Sequence, residues 1–166
     1  MADLKWLDSY SGQTIDELLS MADEYRIDSL VVALEQALGQ KVERVSEQDL
    51  SDVERIVLAV EALEREVNNG GYSQFFTNSS GEYISIIVES LLRIGCPETA
   101  KTTQRAIEAL GIQDMTPEAI ETACESENDA RDEEFDECDG LYYGAGENIA
   151  DQLFEYVRSN KDEVQL

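Results

Sequence analysis

Nine carboxylates and one arginine share the fifteen residues ESENDARDEEFDECD, positions 125 to 139. Two carboxylates can work as acid and base on a glycosidic bond, or together hold a divalent cation, but only where their surroundings give them separate roles. Here the acids follow one another along the chain with no sign of a pocket that would separate them. The EF-hand spacing also fails, because taking Gly140 as its turn glycine places Phe135 at the first ligand position and Gly146 where the bidentate glutamate belongs. The chain contains no histidine, which removes imidazole acid–base chemistry, Ser-His and Cys-His nucleophiles and imidazole metal sites together. Cys96, Cys124 and Cys138 are odd in number and form no CxxC pair, so they read as small buried residues rather than nucleophiles, thiolate ligands or a disulfide framework. The expectation is a protein that binds rather than catalyses, with no cofactor and no metal site.

An acidic run of this density suits recognition of a cationic surface. If the run is helical, Glu125, Asp129, Asp132, Glu133, Asp136 and Glu137 share a face by the three-and-four rule, while Phe135, Cys138 and Tyr142 point the other way as an apolar anchor. With Asp139, these seven acids are the candidate partner-binding residues. At a rise of ~1.5 Å per residue, the carboxylates of the run recur every ~2.5 Å, close to the ~1.7 Å axial charge spacing of duplex DNA. Like charges three or four apart cost a helix roughly 0.2–0.5 kcal/mol per pair. Pairs such as Asp129 with Glu133 and Asp132 with Asp136 therefore oppose the isolated fold and would be relieved by lysine or arginine from outside. The competing reading is a plainly solvated face, or adaptation to salt.

Composition points the same way. Thirty-seven acidic residues against 12 basic ones give a formal charge of -25, and the 42% hydrophobic content is too high for an acidic disordered tail. Such a charge repels nucleic acid and anionic lipid and attracts basic proteins. The charge is uneven: residues 1–70 hold 16 acids and 6 bases, residues 71–110 hold 4 and 3, and residues 111–166 hold 17 and 3. The sequence leaves open whether amino-terminal acids such as Asp16, Glu17, Asp23 and Glu24 join the same face. The N-terminus MADLKWLDSYSG has neither a basic start nor an apolar stretch, and the unpaired cysteines suit a reducing compartment, so a cytoplasmic protein with no membrane segment is expected.

The elements that must carry these acids read as helices, about seven to nine of them, in a single all-α domain over residues 1–166 built as an antiparallel bundle. Thr14 with Glu17 forms a capping box, and the stripe Ile15, Leu18, Leu19 and Ala22 gives way near Tyr25–Asp28 to Leu30, Leu34 and Leu38, ending at Gly39. Ser46 with Asp49 opens a long core helix through Val53, Ile56, Val60, Leu63 and Val67, which Asn69, Gly70 and Gly71 should stop. Tyr83 to Leu92 makes a buried helix ending at Gly95. Pro97 starts the next, Thr116 and Pro117 another, and Ile149, Leu153, Phe154 and Val157 line the last.

Residues 64 to 81, EREVNNGGYSQFFTNSSG, stand out in the neutral middle. Their leading interpretation is structural: a helix end at Asn and Gly, aromatic anchors Tyr72, Phe75 and Phe76, and caps from Asn78, Ser79 and Ser80. A direct contact site is the alternative. The block also resembles the signature of the DMP-type bacterial family of helical proteins, whose best-known member is a DNA mimic. The resemblance rests on Glu66, Val67, Asn68, Asn69, Gly70, Gly71, Gln74, Phe75, Phe76, Asn78, Ser79, Ser80 and Gly81, with Ile94 and Gly95 closing the following helix. It implies an all-helical fold, homodimers and, for the mimic, occupation of the DNA-binding face of a helix-turn-helix transcription factor. The block is not itself the acidic surface, so the partner-binding residues rest on the charge pattern alone. Two functions are expected from these readings, with an acidic structural or metal-buffering protein as a third reading. The first is a DNA mimic that blocks a basic DNA-binding protein such as a helix-turn-helix regulator, with no direct contact to nucleic acid. The alternative is an immunity-type inhibitor of a cationic toxin or nuclease.

Overall fold

The structure is a computed structural model that describes residues 3–166, apart from the side chains of Ser79 and Ser80. Among the described residues the fold is all-α, with eight α-helices and no strand. The chain forms two compact units, the first made of residues up to Glu61 with Asn148–Leu166, the second of Ala62–Glu147.

In the first unit the Thr14 capping box forms as the sequence predicts, with the Thr14 N–H donating to Glu17 at 2.7 Å and the Glu17 N–H donating to the threonine hydroxyl at 3.2 Å. It starts the short helix α1 (Ile15–Ser20), and α2 (Ile27–Arg44) follows. Gly39 does not end α2, contrary to the expectation. A lone glycine costs a helix about 1 kcal/mol relative to alanine, which the buried Ala33, Leu34, Ala37 and Leu38 offset. Helix α2 packs against α8 (Ile149–Ser159), whose Ile149, Leu153, Phe154 and Val157 are all buried as the stripe predicts. The Ser46–Asp49 box exists but closes only a 3₁₀ turn, Glu47–Asp49. The long helix α3 (Asp52–Thr77) starts later, from a second box in which Ser51 N–H donates to Glu54 and Glu54 N–H to the Ser51 hydroxyl, each at 3.1 Å. Glu54 is buried, and its remaining valence is met by Lys41 Nζ at 2.8 Å and Gln165 N–H at 2.8 Å.

The second unit contains the later part of α3. Asn69–Gly71 bend α3 instead of ending it: Gly70 (φ -158°, ψ 21°) and Gly71 (φ 75°, ψ -174°) leave helical geometry, and the helix resumes from Tyr72 to Thr77. The restart is held by buried Tyr72, Phe75 and Phe76. Next come α4 (Ile84–Arg93), α5 (Pro97–Ala109), α6 (Pro117–Glu125) and α7 (Asp129–Gly144). Helix α5 packs against both α4 and α7. Thr116 caps α6 by accepting the Ala119 N–H at 3.2 Å, as the Thr-Pro start predicts. The expected capping by Ser79 and Ser80 lies outside the described residues.

Candidate protein-binding surface

The acidic run is not one helix. Glu125 is the last residue of α6, and Glu127 lies in the connection to α7. Asn128 then restarts the helix, its side-chain oxygen accepting the Arg131 N–H at 3.1 Å. The break has a physical origin in Arg131, which the apolar pattern passes over. Arg131 is buried, and its guanidinium donates to the Ala123 carbonyl, to the Ser126 carbonyl at 3.0 Å and to Asp132 at 2.8 Å. One arginine thus satisfies carbonyls that the end of α6 leaves without helical partners. Glu125 consequently belongs to a different helix from the other acids.

On α7 the anchor is the expected one, with Phe135, Cys138 and Tyr142 buried. The acids fall into two groups. Glu134 and Glu137 both pair with Arg105 of α5, the second at 2.5 Å, so Glu137 faces α5 rather than an outside partner. Asp139 turns inward, accepting the Tyr72 N–H at 2.8 Å. Burial pushes its carboxyl above the ordinary aspartate range, the Tyr72 amide opposes this, and neighbouring Asp136 adds to it. Asp139 therefore serves the fold, and the spacing that grouped it with the outward acids could not show a partner 67 positions away. Asp129, Asp132, Glu133 and Asp136 are exposed. Of these, Asp132 pairs with Arg131, whereas Asp129, Glu133 and Asp136 have no hydrogen bond or ion pair among the described residues.

Beside this row runs an open groove of about 370 Å³, with Asp132, Asp136 and Asp139 on one wall and Gly70, Ser73 and Thr77 of α3 on the other. Cys124, Phe135 and the buried Arg131 complete its lining, so one guanidinium faces the groove together with the three carboxylates.

The 64–81 block builds this wall. Glu66 is buried just before the bend and accepts hydrogen bonds from Gln74 at 2.8 Å and Asn78 at 2.7 Å just after it. Burial would raise its carboxyl, yet those bonds and Arg65 hold it below the usual range. A Cβ on Gly71 would lie 2.2 Å from Asp139 Oδ2, so the glycine is what admits the Asp139 cap. The block's polar residues thus staple the two parts of α3 across the bend, which is the structural interpretation. Cys96, Cys124 and Cys138 are free thiols, and burial pushes all three above the ordinary thiol range, away from the reactive thiolate.

None of the described helices is long and apolar enough to cross a membrane. No curated protein matches the sequence. A family model described as DMP19-like protein matches residues 48–160, which takes in the stapled bend, the groove and the whole of α7. With about two thirds of its length matched, the chain belongs to the DMP19-like protein family.

Proposed function

We propose that this protein binds a basic DNA-binding protein, of which a helix-turn-helix transcription factor is the simplest case, and blocks its DNA-binding surface by presenting carboxylates in place of phosphates. It acts by occupation and not by catalysis. The observation that carries this reading is the row Asp129, Asp132, Glu133 and Asp136 on a helix anchored by Phe135 and Cys138, with three of the four left without an internal cation. Four charges over the eight residues 129–136 span ~10.5 Å of helix axis, a mean step of ~3.5 Å that is near the ~3.4 Å spacing of phosphates on one DNA strand. A protein surface that contacts successive phosphates would meet the same number of charges over the same axial length. The groove adds a recess in which the carboxylates of Asp132, Asp136 and Asp139 outnumber the single guanidinium of Arg131, where a flat row would offer only surface contact. Family membership and the net charge of -25 support the same reading.

The test is affinity capture from the native cell at moderate salt, with elution by duplex DNA. The expected eluate is a DNA-binding protein whose affinity falls steeply with salt. Replacing Asp129, Glu133 and Asp136 together by lysine should abolish capture while leaving the helical circular dichroism intact. Retention of the partner by that variant, or a partner that duplex DNA cannot displace, would overturn the proposal.

A further inference from the structure

The last two turns of α7 are fastened to α3 around its bend by three side chains. Asp139 accepts the Tyr72 N–H at 2.8 Å, the Tyr143 hydroxyl donates to the Val67 carbonyl at 2.8 Å, and the Tyr142 hydroxyl donates to the carboxylate of Glu64. Tyr142 also meets the Tyr72 ring edge-on, with centroids 6.1 Å apart, and Tyr72 is tied to Thr103 of α5 at 2.8 Å. This end of α7 therefore positions the turns that carry the outward acids.

Glu64 differs from the other members of the cluster. The groups that face it are Tyr142 from α7, Tyr72 from beyond the bend of α3, and Cys96 from the α4–α5 connection, with Glu147 beside Cys96. Its chain neighbour Arg65 pairs with Glu66. No lysine or arginine among the described residues pairs with Glu64, in contrast to Glu54, which has Lys41. Burial accordingly pushes the Glu64 carboxyl up to about 7, so it changes charge in the neutral range.

We propose that Glu64 and Tyr142 form a proton-controlled latch. The Tyr142 hydroxyl donates to Glu64 whether or not the carboxyl is charged. The protonated form keeps that contact without burying a charge, whereas the ionised form, part-buried and without a cation among the described residues, gains water by letting the end of α7 detach. The latch regulates the binding surface proposed above and rests on that reading only for its consequence, a helix presented less rigidly to a cationic partner as pH rises.

Hydrogen exchange on the full chain at pH 6 and pH 8, corrected for intrinsic rates, tests it through peptides covering residues 136–147. A carboxyl that titrates near 7 when latched and near the ordinary 4.5 when detached opens about tenfold more often at pH 8 than at pH 6. Wild-type protection should therefore fall about tenfold, Glu64→Gln should show no such fall, and Tyr142→Phe should be less protected already at pH 6. Equal protection at both pH values, or the same fall in Glu64→Gln, would overturn the latch. So would failure of Glu64→Gln to fold at pH 6, where Glu64 itself is uncharged. Binding of a deca-lysine probe, measured in parallel, separates the two proposals: a pH-dependent latch in a protein that ignores the probe leaves the latch standing and removes the cationic partner.

Discussion

Gly71 combines φ 75° with ψ -174°, a backbone region essentially closed to residues with a Cβ, and the space a Cβ would need is taken by Asp139. The two residues are one device, and their substitutions should show it. Gly71→Ala should cost roughly 2–3 kcal/mol from backbone strain and displacement of the carboxylate. Asp139→Ala should cost about 1–2 kcal/mol, the range of a lost helix cap. The double variant, followed by urea denaturation, should fall short of the sum, because each change already forfeits the same contact. Full additivity would mean that Asp139 stabilises through something other than the Tyr72 amide. This is also where sequence reading stops at the residue scale. Phe135, Cys138 and Tyr142 were legible as the inner stripe because period and hydropathy agree. Asp139 was not, since an inward aspartate and an outward one look the same until the amide it caps is known.

Helix starts made by neighbours in sequence were legible, and those made at a distance were not. Thr14 and Thr116 cap where they were expected, whereas Ser46 caps a single 3₁₀ turn because Ser51 and Glu54 supply a better-placed box five residues after the start of the first. The N-terminus of α5 has no cap from its own segment. Glu147 supplies it, accepting the Glu98 and Thr99 N–H groups at 2.9 Å and the Thr99 hydroxyl at 2.7 Å. Burial alone would raise this carboxyl, but the Thr99 and Glu98 hydrogen bonds outweigh it and hold the carboxyl below its ordinary value. A depressed carboxylate contributes stability that is present above its unfolded pKa and lost as pH falls through the folded one. Glu147→Ala should therefore cost about 1–2 kcal/mol at pH 7, and the gap to wild type should close as pH drops below 4.5. Thermal melts at pH 7 and pH 3.5 would measure it, and a gap unchanged in acid would assign the loss to packing instead of the cap.

For the whole chain, the balance between repulsion and pairing decides how salt acts. Thirty-seven acids face 12 bases, and some of those bases are committed to single buried carboxylates, as Lys41 is to Glu54. Salt weakens such pairs, but it also screens the far more numerous acid–acid interactions, and a buried pair is screened least. Folding gathers the negative charges that the unfolded chain spreads apart, so the repulsion weighs on the folded state. Raising sodium chloride from about 10 to 150 mM shortens the screening length from roughly 30 to 8 Å and should raise Tm by several degrees, about 1–2 kcal/mol for a chain of this size. Potassium chloride should do the same at equal ionic strength, because the effect is screening and not a site for one ion. Under the proposed function, affinity for a cationic partner should move the opposite way over the same range, since the charges that destabilise the free protein would be those such a partner neutralises. A Tm that stays level or falls with salt would show that the acids are already compensated within the fold, and an acidic surface so compensated would have little left to offer a DNA-binding protein.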